Sequence, residues 1–468
     1  AIGSLACDAA LTTNYHIGIG YEASKAMTSG EGNIAIGYQA LLVEDDGDYN
    51  TAIGYQALTA QTGVSGETSN TALGYYAGRF VTTGIKSVFV GAYAGEGVTG
   101  AKTTGNNNTG IGYKALNAVQ GAGNSNTALG YQAGLAHTTA NDNTLIGLNA
   151  GSVMTTNGNC VLVGNYTGDA INSTDANGTV AVGYSACGGI TSGQGNIAVG
   201  MQALQAEDDG DFNTAIGHQA LTAQTGVSGT VGNTAVGYRA GYSMTTGLGH
   251  TTIGYLALYT ETEASYCVAL GSRALYTQNG GAYNIGIGAD SGYAVTTGDW
   301  NVFMGTNAGN GLKTGLRNIA IGHAAMNGTG AGGNTGADSD DNVFIGYDCG
   351  GGSWTDAKSE FNVAIGNHVM DAAMDGCSSN VAIGYFSGSA MTTGDNNTFV
   401  GKASGQVTDT GSNNTYIGAS CGDGASNATG NTAVGYLSLS AAAGAYNTCI
   451  GMQSGSVAAS AHNTLTGY

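Results

Sequence analysis

Two short loops hold the densest reactive chemistry in this chain. Glu44-Asp45-Asp46-Gly47-Asp48 and its copy Glu207-Asp208-Asp209-Gly210-Asp211 each crowd several carboxylates into one turn, and Asp338-Ser339-Asp340-Asp341 is a third acidic cluster. Carboxylate oxygens on a tight turn suit a hard cation, and calcium takes roughly six to eight oxygens from a flexible loop. Asp45, Asp46, Asp48, Asp208, Asp209 and Asp211 are therefore the candidate metal ligands, and calcium is the one cofactor the residues suggest. These loops lack the full EF-hand spacing and the nonapeptide repeat of calcium-binding β-helices, so a solvated acidic corner is the competing reading.

Other chemistry is sparse. His16, His218, His250, His323 and His368 are far apart in the sequence. There is no H-E-x-x-H, no P-loop and no Gly-x-Ser-x-Gly in a strand–turn–helix context, so no catalytic constellation emerges and an enzyme is not expected. The Gly-x-Gly stretches, such as Gly18-Ile19-Gly20, belong to a repeat and are not dinucleotide fingerprints. The eight cysteines include no C-x-x-C pair, which argues against a zinc site and for small packed residues and free thiols.

The elements that must position these residues come from that repeat. Glycines such as Gly20, Gly37, Gly54, Gly74 and Gly91 return along the whole chain to Gly467, and with Gly3 they number 27, with 16 of the 26 gaps being 17 residues. A period this short means a stacked array in which each turn touches mainly its neighbours. Composition agrees: 468 residues contain 84 glycines and no proline, and proline would remove an N–H from a strand ladder. The chain therefore reads as one continuous array over 1–468 with a unit of about 17 residues, and a block near 20–91 is duplicated near 183–254. The stretch Gln56–Gly66 is identical to Gln219–Gly229, as a spacer lengthened by whole turns would be.

Within each turn the residue before the glycine is Ile, Leu, Val or Met in 26 of 27 copies, and the residue three before it is Thr, Val or Ile from Ile17 onward. Two β-branched or aliphatic positions two apart share one face of a strand, and that face is expected to be the core. The residue between them is mostly Ala, sometimes Phe, so the second face is expected to be covered as well. Ala23, Ala57 and Ala220, three after the glycine, suggest the close approach of another backbone. Asn stands four before the glycine in 20 of 26 copies, and identical amides in a stack can hydrogen-bond from turn to turn. Phrases such as Ala390-Met391-Thr392-Thr393-Gly394 suggest a second short strand ending at a corner. Tyr follows the glycine in about half the copies, at what should be an exposed or partly exposed corner.

Thin coils with both faces covered are explained together if three chains wrap round a common axis. At about 4.8 Å per turn, 27 turns would give a rod on the order of 130 Å. A net charge of −20 argues against nucleic acid, and no apolar run is long enough to insert in a membrane. The start at Ala1, without methionine, reads as a processed or truncated segment.

Asn50-Thr51-Ala52-Ile53-Gly54-Tyr55 resembles the Asn-Ser-Val-Ala-Ile-Gly motif of YadA-like heads in trimeric autotransporter adhesins. Asn213-Thr214-Ala215-Ile216-Gly217-His218-Gln219-Ala220-Leu221 is similar to repeats of phage tail fibres. The resemblance covers essentially the whole chain and implies a left-handed parallel β-roll, a homotrimer and attachment to a cell surface. The unit here is longer than the YadA type, and neither a membrane anchor nor a chaperone domain is present. The expectation is an all-β parallel β-solenoid of about 27 turns in a homotrimeric fibre, extracellular on a cell surface or virion, that meets a glycan or protein receptor. The rival is a monomeric solenoid that binds ice or a polysaccharide. Against it, the threonine three before the glycine swaps with Val and Ile, which points it inward.

Overall fold

The computed structural model describes residues 1–9, 12, 15–62, 65–225, 228–328, 338–355, 357–424, 426–441, 443–456 and 460–467. Its backbone is a parallel β-solenoid, with a three-residue 3-10 segment at Thr174–Ala176. The chain forms two compact units, Ala1–Gly232 and Asn233–Tyr468. In the first, three-residue strands succeed one another at each turn: Ile17–Ile19 pairs in parallel with Ile34–Ile36, which pairs with Thr51–Ile53. In the second, Val302–Met304 pairs in the same way with Ile319–Ile321, and so on to Thr464–Thr466. Register is strict, like residue on like residue, as in Ala35 on Ala52 and Ala181 on Ala198.

The core is the face that the sequence pattern put second. The middle residue of each strand points inward: Ala35, Ala52, Phe89, Ala215, Phe303 and Tyr416 are buried. The aliphatic and β-branched residues on either side point outward, and Ile216 keeps 39% and Ile253 42% of their surface exposed. The expectation that they form the core is thus corrected. A thin coil has room inside for one residue of each three-residue strand, and period-2 alternation sends the flanking pair to the other face. Likewise Ala57 and Ala220 are buried within the coil of their own chain, so their small size reports no neighbouring chain.

The coil accommodates large residues by a local exchange. Phe89, Leu145, Leu162, Phe303, Phe344, Phe399 and Tyr416 each have a glycine six residues later, whereas Ala35, Ala52 and Ala215 have a leucine there. A Cβ at Gly309 would lie 2.1 Å from the Phe303 ring, and one at Gly422 would lie 2.2 Å from the Tyr416 ring. Where a small middle residue is also followed by glycine, as Ala72 is by Gly78 and Ala128 by Gly134, side chains of adjacent turns fill the space, Leu58 and Phe89 at the first and Leu116 and Leu145 at the second, so close packing is kept across neighbouring turns.

The repeating glycine has its own cause. Gly37 has φ +137°, and a Cβ on it would sit 2.3 Å from the Gly54 carbonyl oxygen in the next turn. The same approach recurs at Gly147 against Gly164 and at Gly305 against Gly322. No side chain fits, which explains the near-fixed period.

The expected second strand is not regular. The Met-Thr-Thr and Val-Thr-Thr phrases form bends, with Met154, Met244, Val295 and Met391 as buried plugs. Their threonines hold the next turn instead: Thr245 Oγ1 donates to the Thr262 carbonyl at 2.9 Å and Thr296 Oγ1 to that of Lys313 at 3.1 Å. Short second strands occur at the acidic corners, where Gly47–Asp48 pairs with Gly66–Glu67 and Gly210–Asp211 with Gly229–Thr230. No helix among the described residues is long and apolar enough to cross a membrane.

Candidate functional site

Within each unit, runs of the asparagine column form an internal ladder of the kind the spacing suggests. Asn318 Nδ2 donates to Asn301 Oδ1 at 3.1 Å and to the Ser339 carbonyl at 2.8 Å. Its own Oδ1 accepts from the backbone N and the Nδ2 of Asn342, each at 3.1 Å. These side chains are buried, so every polar atom needs a partner, and the turns above and below supply them. Histidine and cysteine in this column keep the bond to the next turn, whereas Ser87 and Thr179 turn to carbonyls of their own turn. His250 Nε2 lies 2.6 Å from the Ala264 carbonyl, and Cys267 Sγ donates to that of Gly281 at 3.5 Å, each 14 residues on, as in Asn33 to Gly47. Two histidines and two cysteines that look scattered in sequence, His16, His250, Cys160 and Cys267, thus stand in one structural slot.

The acidic corners are built round a buried glutamate. Glu44 Oε1 accepts the backbone N–H groups of Asp45, Asp46 and Gly47 at 3.1, 3.3 and 2.9 Å. In the copy, Glu207 Oε1 accepts those of Asp208 and Gly210 at 3.1 and 2.8 Å. Burial pushes both glutamates above the usual carboxylate range, against the pull of the N–H donors. Glu261 accepts from Thr262, Glu263 and Ala264 at 2.9, 3.0 and 2.8 Å in a corner without the two aspartates. The glutamate cap thus stands as a backbone device that forms with or without the two aspartates.

Of the candidate ligands, Asp45 and Asp46 group with Glu44, and Asp208 and Asp209 with Glu207, with one oxygen of each residue within 4.8 Å of the others. Asp48 and Asp211 are turned elsewhere: their Oδ1 atoms accept the backbone N–H of Glu31 at 2.7 Å and of Gln194 at 2.8 Å, one turn earlier. Asp340 does the same for Leu316 at 2.7 Å. Asp209 and Asp211 also line, with Asp175, an open polar groove of about 590 Å³ in the first unit.

The tyrosines after the glycine lie at an exposed corner and stack along the solenoid. Tyr21, Tyr38 and Tyr55 have ring centroids 5.3 and 4.9 Å apart at interplanar angles of 13° and 9°. Their faces are turned to one another, so they offer edges and hydroxyls to a ligand, whereas a sugar ring packs on an aromatic face. All eight cysteines are free thiols, and burial pushes those of Cys377 and Cys421 up to about 12.

A group that spacing does not reveal joins two successive turns of the second unit. His368 Nδ1 lies 3.2 Å from Asp371 Oδ2 and 3.6 Å from Asp348 Oδ2. Asp348 and His368 are each two residues past the repeating glycine, but an insertion lengthens the turn between them to 20 residues and hides the pairing.

No protein-family model matches this chain, and no curated protein does.

Proposed function

We propose that the chain is a structural fibre segment, without catalysis, that serves surface attachment and is closed by copies of itself. The observation that carries this is the outward face of the strands. In each unit it presents two rows, one of Thr, Val and Ile and one almost wholly of Ile, Leu and Val, half-exposed turn after turn. An apolar stripe of this length exceeds what a lone soluble chain exposes. Its rows repeat at the strand spacing of about 4.8 Å, and a second copy of the same repeat matches that period over every turn. The resemblance to trimeric adhesin heads and tail fibres supplies the number three, the extracellular surface or virion location, and a glycan or protein receptor. Sedimentation of the full chain at micromolar concentration tests it. A trimer is expected; a folded monomer overturns self-association, and a dimer overturns the number.

One observation favours the rival of a lone solenoid on an ice or polysaccharide lattice: the threonines three before the glycine, such as Thr109, Thr127 and Thr144, face outward. The row is broken by Val161, Val180 and Ile197, and its neighbour is aliphatic. Thermal hysteresis by a monomeric preparation would decide for it.

A further inference from the structure

We propose that Asp348, His368 and Asp371 form a site for one divalent transition-metal ion of the zinc type. The proposal does not rest on the fibre reading, since all three ligands come from one chain.

The column two residues past the glycine normally settles its turn-to-turn contacts with matched partners. Gln39 Nε2 donates to Glu22 at 2.8 Å, Gln56 Nε2 donates to Gln39 at 2.7 Å, and Arg273 meets Asp290 at 2.8 Å. At Asp348 and His368 the arrangement differs. Two carboxylate oxygens converge on one imidazole nitrogen, which has a single proton to give and can satisfy one of them. The two acids repel each other through that point, and Asp371 is held above the usual carboxylate range by burial first and by Asp348 in part. A divalent ion at the point of convergence meets all three lone pairs at once.

The distances suit this. Metal–ligand bonds of about 2.0–2.2 Å at tetrahedral or octahedral angles place ligand atoms roughly 3.0–3.5 Å apart. The observed 3.2 and 3.6 Å need only small adjustment. The ligands are also held in place. The His368 ring stacks on Phe386 at 5.1 Å and meets the edge of Tyr347 at 5.3 Å. Its backbone N–H donates to the Tyr347 carbonyl at 3.0 Å, and that of Asp348 to the His323 carbonyl at 2.9 Å. A Cβ on residue 351 would lie 1.9 Å from Asp348 Oδ1, so Gly351 gives this carboxylate its room.

One nitrogen and two oxygens suit zinc, manganese or cobalt better than calcium or magnesium, which favour oxygen alone. With 28%, 38% and 21% of the His368, Asp348 and Asp371 side chains exposed, water can complete the shell. Cys349, next to Asp348, is not part of it: its Sγ donates inward to the Ala364 carbonyl at 3.3 Å.

The test is calorimetric titration of the full, chelator-treated chain with zinc chloride near neutral pH. One saturable site per chain with a micromolar dissociation constant is expected. His368→Gln and Asp371→Asn should each weaken it by at least about tenfold, the loss that even a supporting residue of a metal site causes. Glu44→Gln with Glu207→Gln should leave it unchanged, which separates this site from the acidic corners. Cobalt in place of zinc should give a visible absorption band that His368→Gln removes. Should His368→Gln fail to fold by circular dichroism, Asp348→Asn is read in its place. Absence of saturable binding up to about 1 mM zinc, or an affinity indifferent to these substitutions, overturns the proposal and leaves an ion pair alone.

Discussion

At the scale of single residues, neighbouring positions should respond in opposite ways. Ala215 is wholly buried and Ile216 is 39% exposed. Ala215→Asp should cost several kcal/mol in urea unfolding, because it buries an unpaired charge. Ile216→Asp should leave the fold of the isolated chain nearly intact and act on self-association, read by sedimentation. Gly37→Ala should cost roughly 2–4 kcal/mol, since strain at φ +137° adds to a clash with the Gly54 carbonyl. Glu44 and Glu207 add a pH dependence. Their folded-state pKa is raised by burial, so between the usual glutamate value of about 4.3 and that higher value the folded chain binds more protons than the unfolded one. Their contribution to stability is fully present below the lower value and is lost as pH rises through the higher one. The melting temperature of the double Gln variant should exceed that of the parent at pH 7, with the difference shrinking as the pH is lowered toward 4. An unchanged difference would show that the glutamates stay ionised throughout.

At the scale of the strand and its corners, the period was legible and the facing was not. Glycine spacing and the asparagine at a fixed offset sufficed for a parallel stack with an amide ladder, because both depend on backbone geometry that repeats with the chain. Inside and outside were inverted because aliphatic residues ordinarily mark the core. Here the coil is too thin to hold two rows of them, and the decisive signal was the glycine that follows each Phe in the middle slot, as Gly309 follows Phe303. The acidic loops were legible as clusters, but sequence could not tell Asp48, which caps the preceding turn, from Asp46, which groups with the buried glutamate. The triad at His368 was hidden by the insertion before it. Asn318→Ala should cost about 3 kcal/mol or more, as it leaves partners in both adjacent turns without a hydrogen bond; denaturant melts of the second unit's parent and variant sequences measure it.

At the scale of the molecule, stability built from adjacent turns should tolerate removal of whole turns. Deleting 37–199 joins Ile36 to Gly200, equivalent points of two turns in the first unit, and removes nine of its repeat strands. The shortened chain should fold with an unchanged β-type circular dichroism spectrum. A deletion one residue shorter, 36–197, joins Ala35 to Ala198 and should misfold, because it is out of phase and exchanges the two faces of the strand it joins. Equal behaviour of the two would mean that the glycine-centred turn is not the folding unit.

The amide ladder also bears on how such a chain ages. Spontaneous loss of ammonia from asparagine begins when the next residue's backbone nitrogen attacks the side-chain carbonyl. In this column that nitrogen is already engaged: Thr51 N donates to the Asn70 carbonyl at 2.8 Å and Val343 N to that of Asn362 at 2.8 Å. Each such nitrogen also belongs to a β-branched residue, which hinders its approach. Conversion of one amide to a carboxylate would set an anion about 3 Å from the acceptor oxygen of its neighbour, so one event would damage two interfaces. The column is therefore both the most vulnerable place for this chemistry and the best shielded from it. Wear should begin instead at asparagines followed by glycine at the corners, Asn177 and Asn279 among them, where the next nitrogen is also engaged but by longer bonds of 3.2 Å and no side chain hinders its approach.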